Sequence, residues 1–173
     1  MNKDELPNAL IPEDSILAMM IVDSQKWVTK AKGDGLTPSM FFRPENQRIY
    51  QAIINRHNEG QECDVRSVIY SLQKSNTYGL CGGDERFEIL LAVADAPVTP
   101  SQFVEHLSEV RDTYARRKAL KHAEKAKNAA MSGETAQDVL DSLKIAIEDI
   151  KLATVQKKAF STIKTALNQA QKE

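Results

Sequence analysis

Histidine, cysteine and carboxylate side chains are what a chain of 173 residues would use to bind a metal or move a proton, and here their spacing argues against both. His57, His106 and His122 stand in different segments, and none belongs to a His-Glu-x-x-His or comparable ligand spacing. Cys63 and Cys81 lie far apart with no Cys-x-x-Cys pair, too few thiolates for a zinc site and no disulfide framework. Asp64, Asp84 and Asp95 each fall beside a helix start or a loop, where a carboxylate caps exposed amide donors. No Gly-x-x-x-x-Gly-Lys-Ser/Thr loop is present, and Gly79, Gly82 and Gly83 fit neither that pattern nor the dinucleotide one. Nothing favours a nucleophile elbow. The expectation is a non-enzymatic chain with no catalytic residues, no cofactor and no metal.

The elements around these residues point to assembly instead. Composition is that of a soluble protein, 42% hydrophobic and 27% charged with a formal net charge of -1. No apolar run approaches the ~20 residues that cross a bilayer. The N-terminus Met1-Asn2-Lys3-Asp4-Glu5 has early acids and no basic lead into an apolar stretch, so a signal peptide is not expected and cytoplasmic is the default. The charge is uneven: between Arg111 and Met131 stand Arg111, Arg116, Arg117, Lys118, Lys121, Lys125 and Lys127 against Asp112 and Glu124. Such a basic segment suits an acidic partner or weak phosphate-backbone contact.

The fold class expected is all-α. Pro12 at a first-turn position, with Glu13 and Asp14 complementing the positive helix end, opens a helix whose buried side is Ile16, Leu17, Met20 and Ile21 and which ends near Asp23. Gln25 to Ala31 forms a second helix with Trp27 and Val28. Pro44 opens a third, striped by Ile49, Tyr50, Ile53 and Ile54 and closed by Asn58-Glu59-Gly60. Asp64 caps Val65 to Gln73, the glycines at 79, 82 and 83 mark a loop with room for a short β-hairpin, and Phe87 to Ala94 forms a further helix.

Thr99-Pro100 then opens a long helix to Met131, and Ser132-Gly133-Glu134 turns into a second one ending near Leu152. Joined so tightly, the two arms run antiparallel. Val139, Leu140, Leu143, Ile147 and Ile150 recur at three- and four-residue intervals, the pattern of a packing seam. Past Ala153 the chain loosens through Thr154-Val155-Gln156 before a short amphipathic helix with Phe160, Ile163, Ala166 and Leu167 on one face. The expected organisation is a compact helical bundle over residues 1–98, a protruding antiparallel hairpin over 99–153 and a C-terminal linker helix over 154–173. Tyr114, Leu120, Val139, Leu143 and Ile147 are the candidate hairpin-packing or dimer residues. Arg116, Arg117 and Lys121 are candidates for polar partner contacts, and Phe160, Ile163 and Leu167 for a docking face.

The order of these segments resembles the N-terminal domain of the bacterial replicative DNA helicase family, the DnaB type. Glu13-Asp14-Ser15-Ile16-Leu17 is similar to that family's opening motif. Phe41-Phe42-Arg43-Pro44-Glu45-Asn46-Gln47-Arg48-Ile49-Tyr50 is similar to its Phe-Tyr segment leading to Ile-Phe. Gly60-Gln61-Glu62-Cys63-Asp64-Val65 resembles Gly-x-x-Ile-Asp-x, Leu72 with Gly82-Gly83 resembles a Leu followed by a Gly-Gly loop, and Asp95-Ala96-Pro97 an Asn-x-Pro turn. Val110 to Arg117 resembles the segment before the family's hairpin, and Lys158 to Lys164 the linker towards its motor domain. Ala18 replaces a usual glycine, Asn46 a frequent histidine and Cys63 an apolar core residue.

The resemblance implies a non-catalytic collar of a hexameric helicase, with the chain a piece of a longer protein whose ATP and Mg sites lie in a motor domain beyond Glu173. It implies self-association (a dimer, and a trimer of dimers in the ring), recruitment of primase, docking of the linker helix on a neighbouring motor domain and contact with a helicase loader. Membrane association and strong direct DNA binding are not expected. The alternatives are a stand-alone phage or plasmid adaptor that decoys a helicase or primase, and a helical nucleic-acid-binding protein. The latter would bind DNA with steep salt dependence.

Overall fold

In the computed structural model residues 6–95 and 99–170 are described, the stretch 155–170 as helical backbone only. All regular structure among them is helical: α1 (Leu10–Val22), α2 (Ser24–Gly33), α3 (Pro44–Asn58), α4 (Val65–Lys74), α5 (Gly83–Ala94), α6 (Pro100–Met131) and α7 (Ala136–Ala170), with short 3-10 turns at Pro38–Met40 and Gly79–Cys81. The loop around Gly79 to Gly83 therefore forms a 3-10 turn leading into α5. Gly82, at φ 88°, makes the bend where the sequence leaves room for a β-hairpin.

Local chemistry sets most boundaries. Pro44 begins α3. Asp64 accepts from the amides of Arg66 and Ser67, at 2.8 and 3.1 Å, and so caps α4. Thr99 and Gln102 cap α6 reciprocally: the Gln102 amide donates to the Thr99 hydroxyl at 3.3 Å, and the Thr99 amide donates to Gln102 Oε1 at 2.8 Å. Gly133, at φ 87°, carries the turn between α6 and α7.

The contacts divide the chain into one compact unit over Asn8–Val110 and another formed by Met1–Pro7 with Arg111–Glu173. The first turns of α6 thus belong to the body, further along than the expected division at residue 98. Phe103, Leu107 and Val110 are buried there, and the Phe103 ring stacks on Trp27 with centroids 4.8 Å apart.

Within the body α1 is the central helix. It is buried continuously from Pro12 to Ile21 and packs against α2, α3 and α5, which is why it is apolar around nearly its whole circumference. Phe41, Ile49, Ile53, Val68 and Leu90 complete the core around it. Tyr50 donates its hydroxyl to the Leu36 carbonyl at 2.7 Å, and burial pushes its pKa up to about 12. Cys63 and Cys81 are separate, free and buried, each thiol pushed up by that burial.

One expectation fails at the other end of the chain. α7 does not stop near Leu152 and restart as a separate linker helix but runs unbroken from Ala136 to Ala170. No glycine or proline interrupts residues 153–156, and Thr154 turns its hydroxyl back onto the Lys151 carbonyl at 2.9 Å, so it is accommodated inside the helix. Phe160, Ile163 and Leu167 fall on this helical backbone, and their side chains lie outside the described residues.

Candidate assembly surface

The hairpin of α6 and α7 closes on alanine. Beyond the buried Arg111 and Thr113, the buried residues described along it are Ala115 and Ala126 on α6 and Ala146 and Ala153 on α7, with Val139 and Ile150 half-buried beside them. The seam expected from Val139, Leu140, Leu143, Ile147 and Ile150 is therefore only partly the real one. Val139 and Ile150 face inward, whereas Leu140 and Ile147 are 52% and 51% exposed and Leu143 is 36% exposed. The cause is rotation. At 3.6 residues per turn the inward line runs through 139, 146, 150 and 153, and 140 and 147 stand well to one side of it. Large side chains made the louder pattern in sequence, while small ones hold the arms close.

One flank of the seam is polar. Lys118 donates to Asp149 Oδ1 at 2.7 Å and His122 Nε2 donates to Asp149 Oδ2 at 3.0 Å, so one carboxylate on α7 is gripped by two residues a turn apart on α6. Those bonds, Lys118 first, hold the Asp149 carboxyl below its usual range. Desolvation pulls the Lys118 ammonium down, but the bond to Asp149 together with Tyr114 and the Asp149 charge outweighs it, and Lys118 ends above its usual value.

The opposite flank is apolar. By the same helical rotation Leu120 and Ala123 of α6 stand on the side away from Lys118 and His122. Leu140, Leu143 and Ile147 of α7 stand on the side away from Asp149. All five are exposed. This flank therefore presents exposed leucine and isoleucine on an otherwise charged helix pair. On the outer side of α7, Ile145 and Leu152 are exposed as well.

The remaining candidates separate. Tyr114 is half-buried, with Arg117 and Lys118 over its ring at 5.8 and 5.2 Å, so cations cover it. Arg117 donates to the Pro7 carbonyl at 2.8 Å, tying the chain's lead-in to α6. Arg116 lies 3.8 Å from Asp112 on the surface, and Lys121 is exposed. Arg116, beside Asp112, and Lys121 are thus exposed on the surface, whereas Arg117 is engaged within its own unit.

Sequence reading missed a polar cluster inside the body. Glu13 and Asp14 do not simply complement the start of α1; both are buried. Glu13 accepts from the Phe42 amide at 2.6 Å and from Asn46 Nδ2 at 2.9 Å. Asn46 also donates to Asp14 at 3.1 Å and accepts from Arg86 at 2.6 Å, and Arg86 grips Asp14 with both terminal nitrogens. Arg43 stands 3.6 Å from Asp14. A carboxylate pair, an amide and an arginine so interlocked tie α1, α3 and α5 together, with both terminal nitrogens of Arg86 engaged and its Nε left without a hydrogen-bond partner. The signal lay in Asn46, a polar residue beside Ile49 and Tyr50 on the inward face of α3.

Of the three carboxylates expected to cap amide donors, Asp64 does so, whereas Asp84 pairs with Tyr78 and Asp95 stands at the C-terminal end of α5, where no such donors are exposed. Asp64 is held below its usual range by Ser67, whose hydroxyl and amide both donate to it. Asp84, in the first turn of α5, accepts the Tyr78 hydroxyl at 2.6 Å, a bond that pushes Tyr78 up to about 12. Asp95 is the C-terminal cap position of α5. Among the described residues no cluster of His, Cys, Asp and Glu is placed to hold a metal ion, and no helix is long and apolar enough to cross a membrane.

Comparison with known proteins agrees with this architecture. Residues 5–112 match the family model for the DnaB-like helicase N terminal domain. The replicative DNA helicase DnaB of Buchnera aphidicola subsp. Baizongia pistaciae is 26% identical over 155 residues, covering 88% of this chain but 32% of that protein. The chain thus spans about a third of the length of that relative. The crystal structure of the N-terminal domain of DnaB helicase from Mycobacterium tuberculosis superposes with a TM-score of 0.74 at 21% identity, covering 84% of this chain and 99% of that one, a likeness of fold. With the family model matched over more than half its length, the chain belongs to the DnaB-like helicase N-terminal domain family.

Proposed function

We propose that this chain is the non-catalytic collar part of a replicative DNA helicase, associating with copies of itself through the hairpin and recruiting primase to the assembled ring. The observation that carries the reading is the apolar flank of Leu120, Leu140, Leu143 and Ile147, left uncovered although the seam beside it is closed. Covering the exposed third to half of one such leucine or isoleucine yields about 0.5–1.5 kcal/mol, so several of them, buried twice across a two-fold axis, support a concentration-dependent dimer. Three such dimers make the collar of a hexamer. Arg116 and Lys121, basic and exposed, would face primase or a loader. α7, continuing to Ala170, would carry Phe160, Ile163 and Leu167 towards a neighbouring motor domain, where the ATP and Mg chemistry of a full-length relative would reside.

Light scattering over a wide concentration range tests this. Masses rising to twice the monomer or an even multiple are expected, and titration with primase should then give a complex that Arg116→Glu/Lys121→Glu weakens. A mass fixed at one chain at the highest concentration would remove the hairpin as the assembly device.

A further inference from the structure

Thr113 departs from the burial pattern of the hairpin. The seam residues of α6 are Ala115 and Ala126, yet Thr113, about 160° round the helix from Ala115, is only 5% exposed. A side chain turned away from the seam needs another cover. One turn further along that side stands Arg117, which donates to the Pro7 carbonyl at 2.8 Å. Leu6 and Pro7 are both half-buried, and Pro7 groups with the hairpin unit although the next residue, Asn8, belongs to the body. Arg117 is placed from below as well, 5.8 Å from the centre of the Tyr114 ring. A guanidinium laid on an aromatic face and donating to a carbonyl is held at both ends.

The same side of α6 continues through Lys121 and Lys125 at four-residue steps, and both are exposed. Arg117, Lys121 and Lys125 thus form a line of cations about 12 Å long, and the lead-in occupies its first member.

We propose that Leu6 and Pro7 are a strap across the root of α6: they cover the side of Thr113, hold Arg117, and withhold one cation from the line that α6 offers to an acidic partner. When the strap leaves, the line grows from two cations to three. The effect on a partner rests on the reading above that the cations of α6 meet one; the strap itself does not.

Hydrogen exchange and an acidic probe test the two separately. The full chain is compared with a chain beginning at Asn8 behind an initiator methionine, and each is also made with Arg117→Met. Removing the lead-in should speed exchange of amides 113–117 about tenfold, the scale of a charged donor's bond to a carbonyl, and leave α3 unchanged. Arg117→Met in the full chain should do likewise with the lead-in still present, so the strap is read even if the shortened chain folds poorly. A labelled poly-glutamate peptide at low salt should bind the shortened chain about threefold more tightly than the full chain, the scale of one exposed ion pair. That gain should vanish in the shortened Arg117→Met chain. Unchanged exchange in both the shortened chain and full-length Arg117→Met overturns the strap. Faster exchange with equal probe affinity supports the strap and overturns its masking of the cation line. A gain that persists in the shortened Arg117→Met chain would come from the lost Asp4 and Glu5, and it overturns the masking too.

Discussion

The body and the hairpin solve helix packing in opposite ways. In the body, large side chains point inward: Ile16, Leu17, Met20, Ile49, Ile53 and Phe41 fill the core, and a buried cluster of Glu13, Asp14, Asn46 and Arg86 sits among them. Along the hairpin beyond Thr113 the buried residues described are alanines, and the large ones, Leu140, Ile145, Ile147 and Leu152, are on the outside. A region with such a core holds itself together even though Ile11, Val22, Tyr70 and Leu80 stay exposed on its surface. A region that leaves its bulky residues outside has a surface left to cover. The same contrast separates what each should tolerate.

The largest break is expected at Arg86. Arg86→Ala leaves Asp14 buried without its main counter-charge and Asn46 without a donor, costing about 3–5 kcal/mol. Urea unfolding followed by Trp27 fluorescence would measure it. A cost under about 1 kcal/mol would mean water replaces the guanidinium and the body is less closed than described.

Next comes a matched pair. Leu17→Ala, in the fully buried stretch of α1, should cost about 2–5 kcal/mol, whereas Ile147→Ala should change the stability of the isolated chain by no more than about 0.5 kcal/mol. Thermal unfolding at low protein concentration compares them. Equal losses would erase the distinction between the two regions.

Two glycines sharpen it further. Gly82 and Gly133 have nearly the same φ, 88° and 87°. A methyl at Gly82 would meet the Cβ of Arg86 at 2.9 Å, whereas one at Gly133 meets nothing within 4 Å. Gly133→Ala should therefore cost about 1 kcal/mol from backbone strain alone, and Gly82→Ala clearly more, since it also displaces Arg86. Denaturation midpoints of the two variants give the order, and the reverse order would contradict the packing around Gly82.

The smallest effect belongs to the α4 cap. Asp64→Ala should cost about 1 kcal/mol at neutral pH. Because the Asp64 pKa is depressed in the folded chain, its contribution is present above the ordinary value near 3.8 and is lost as pH falls through the lowered one. The wild-type advantage over Asp64→Ala should accordingly vanish in strong acid. A difference that persists there would assign the loss to something other than the carboxylate.

Sequence made the helix boundaries and the all-α class legible, because prolines at 44 and 100, the cap at Asp64 and the turn at Gly133 act locally. It hid what depends on distant partners. Glu13 and Asp14 look like ordinary helix-start acids until Arg86, in another helix, is seen to hold one of them. The flank was half legible: Leu120, Leu143 and Ile147 were singled out, but as members of a pattern in which outward leucines outweighed inward alanines. The continuity of α7 was missed because Thr-Val-Gln is a weak helix former locally, and its backbone places it in the helix all the same.

The central claim, that the hairpin is the region left to be covered, is met most directly by sedimentation equilibrium of two charge variants beside the unchanged chain. Leu143→Asp/Ile147→Asp alters the hairpin flank, and Val22→Asp/Leu91→Asp places the same charges on exposed apolar residues of the body. The account predicts that the unchanged chain and the body variant associate alike, while the flank variant remains monomeric with unaltered helicity. Association retained by the flank variant and lost by the body variant would contradict it.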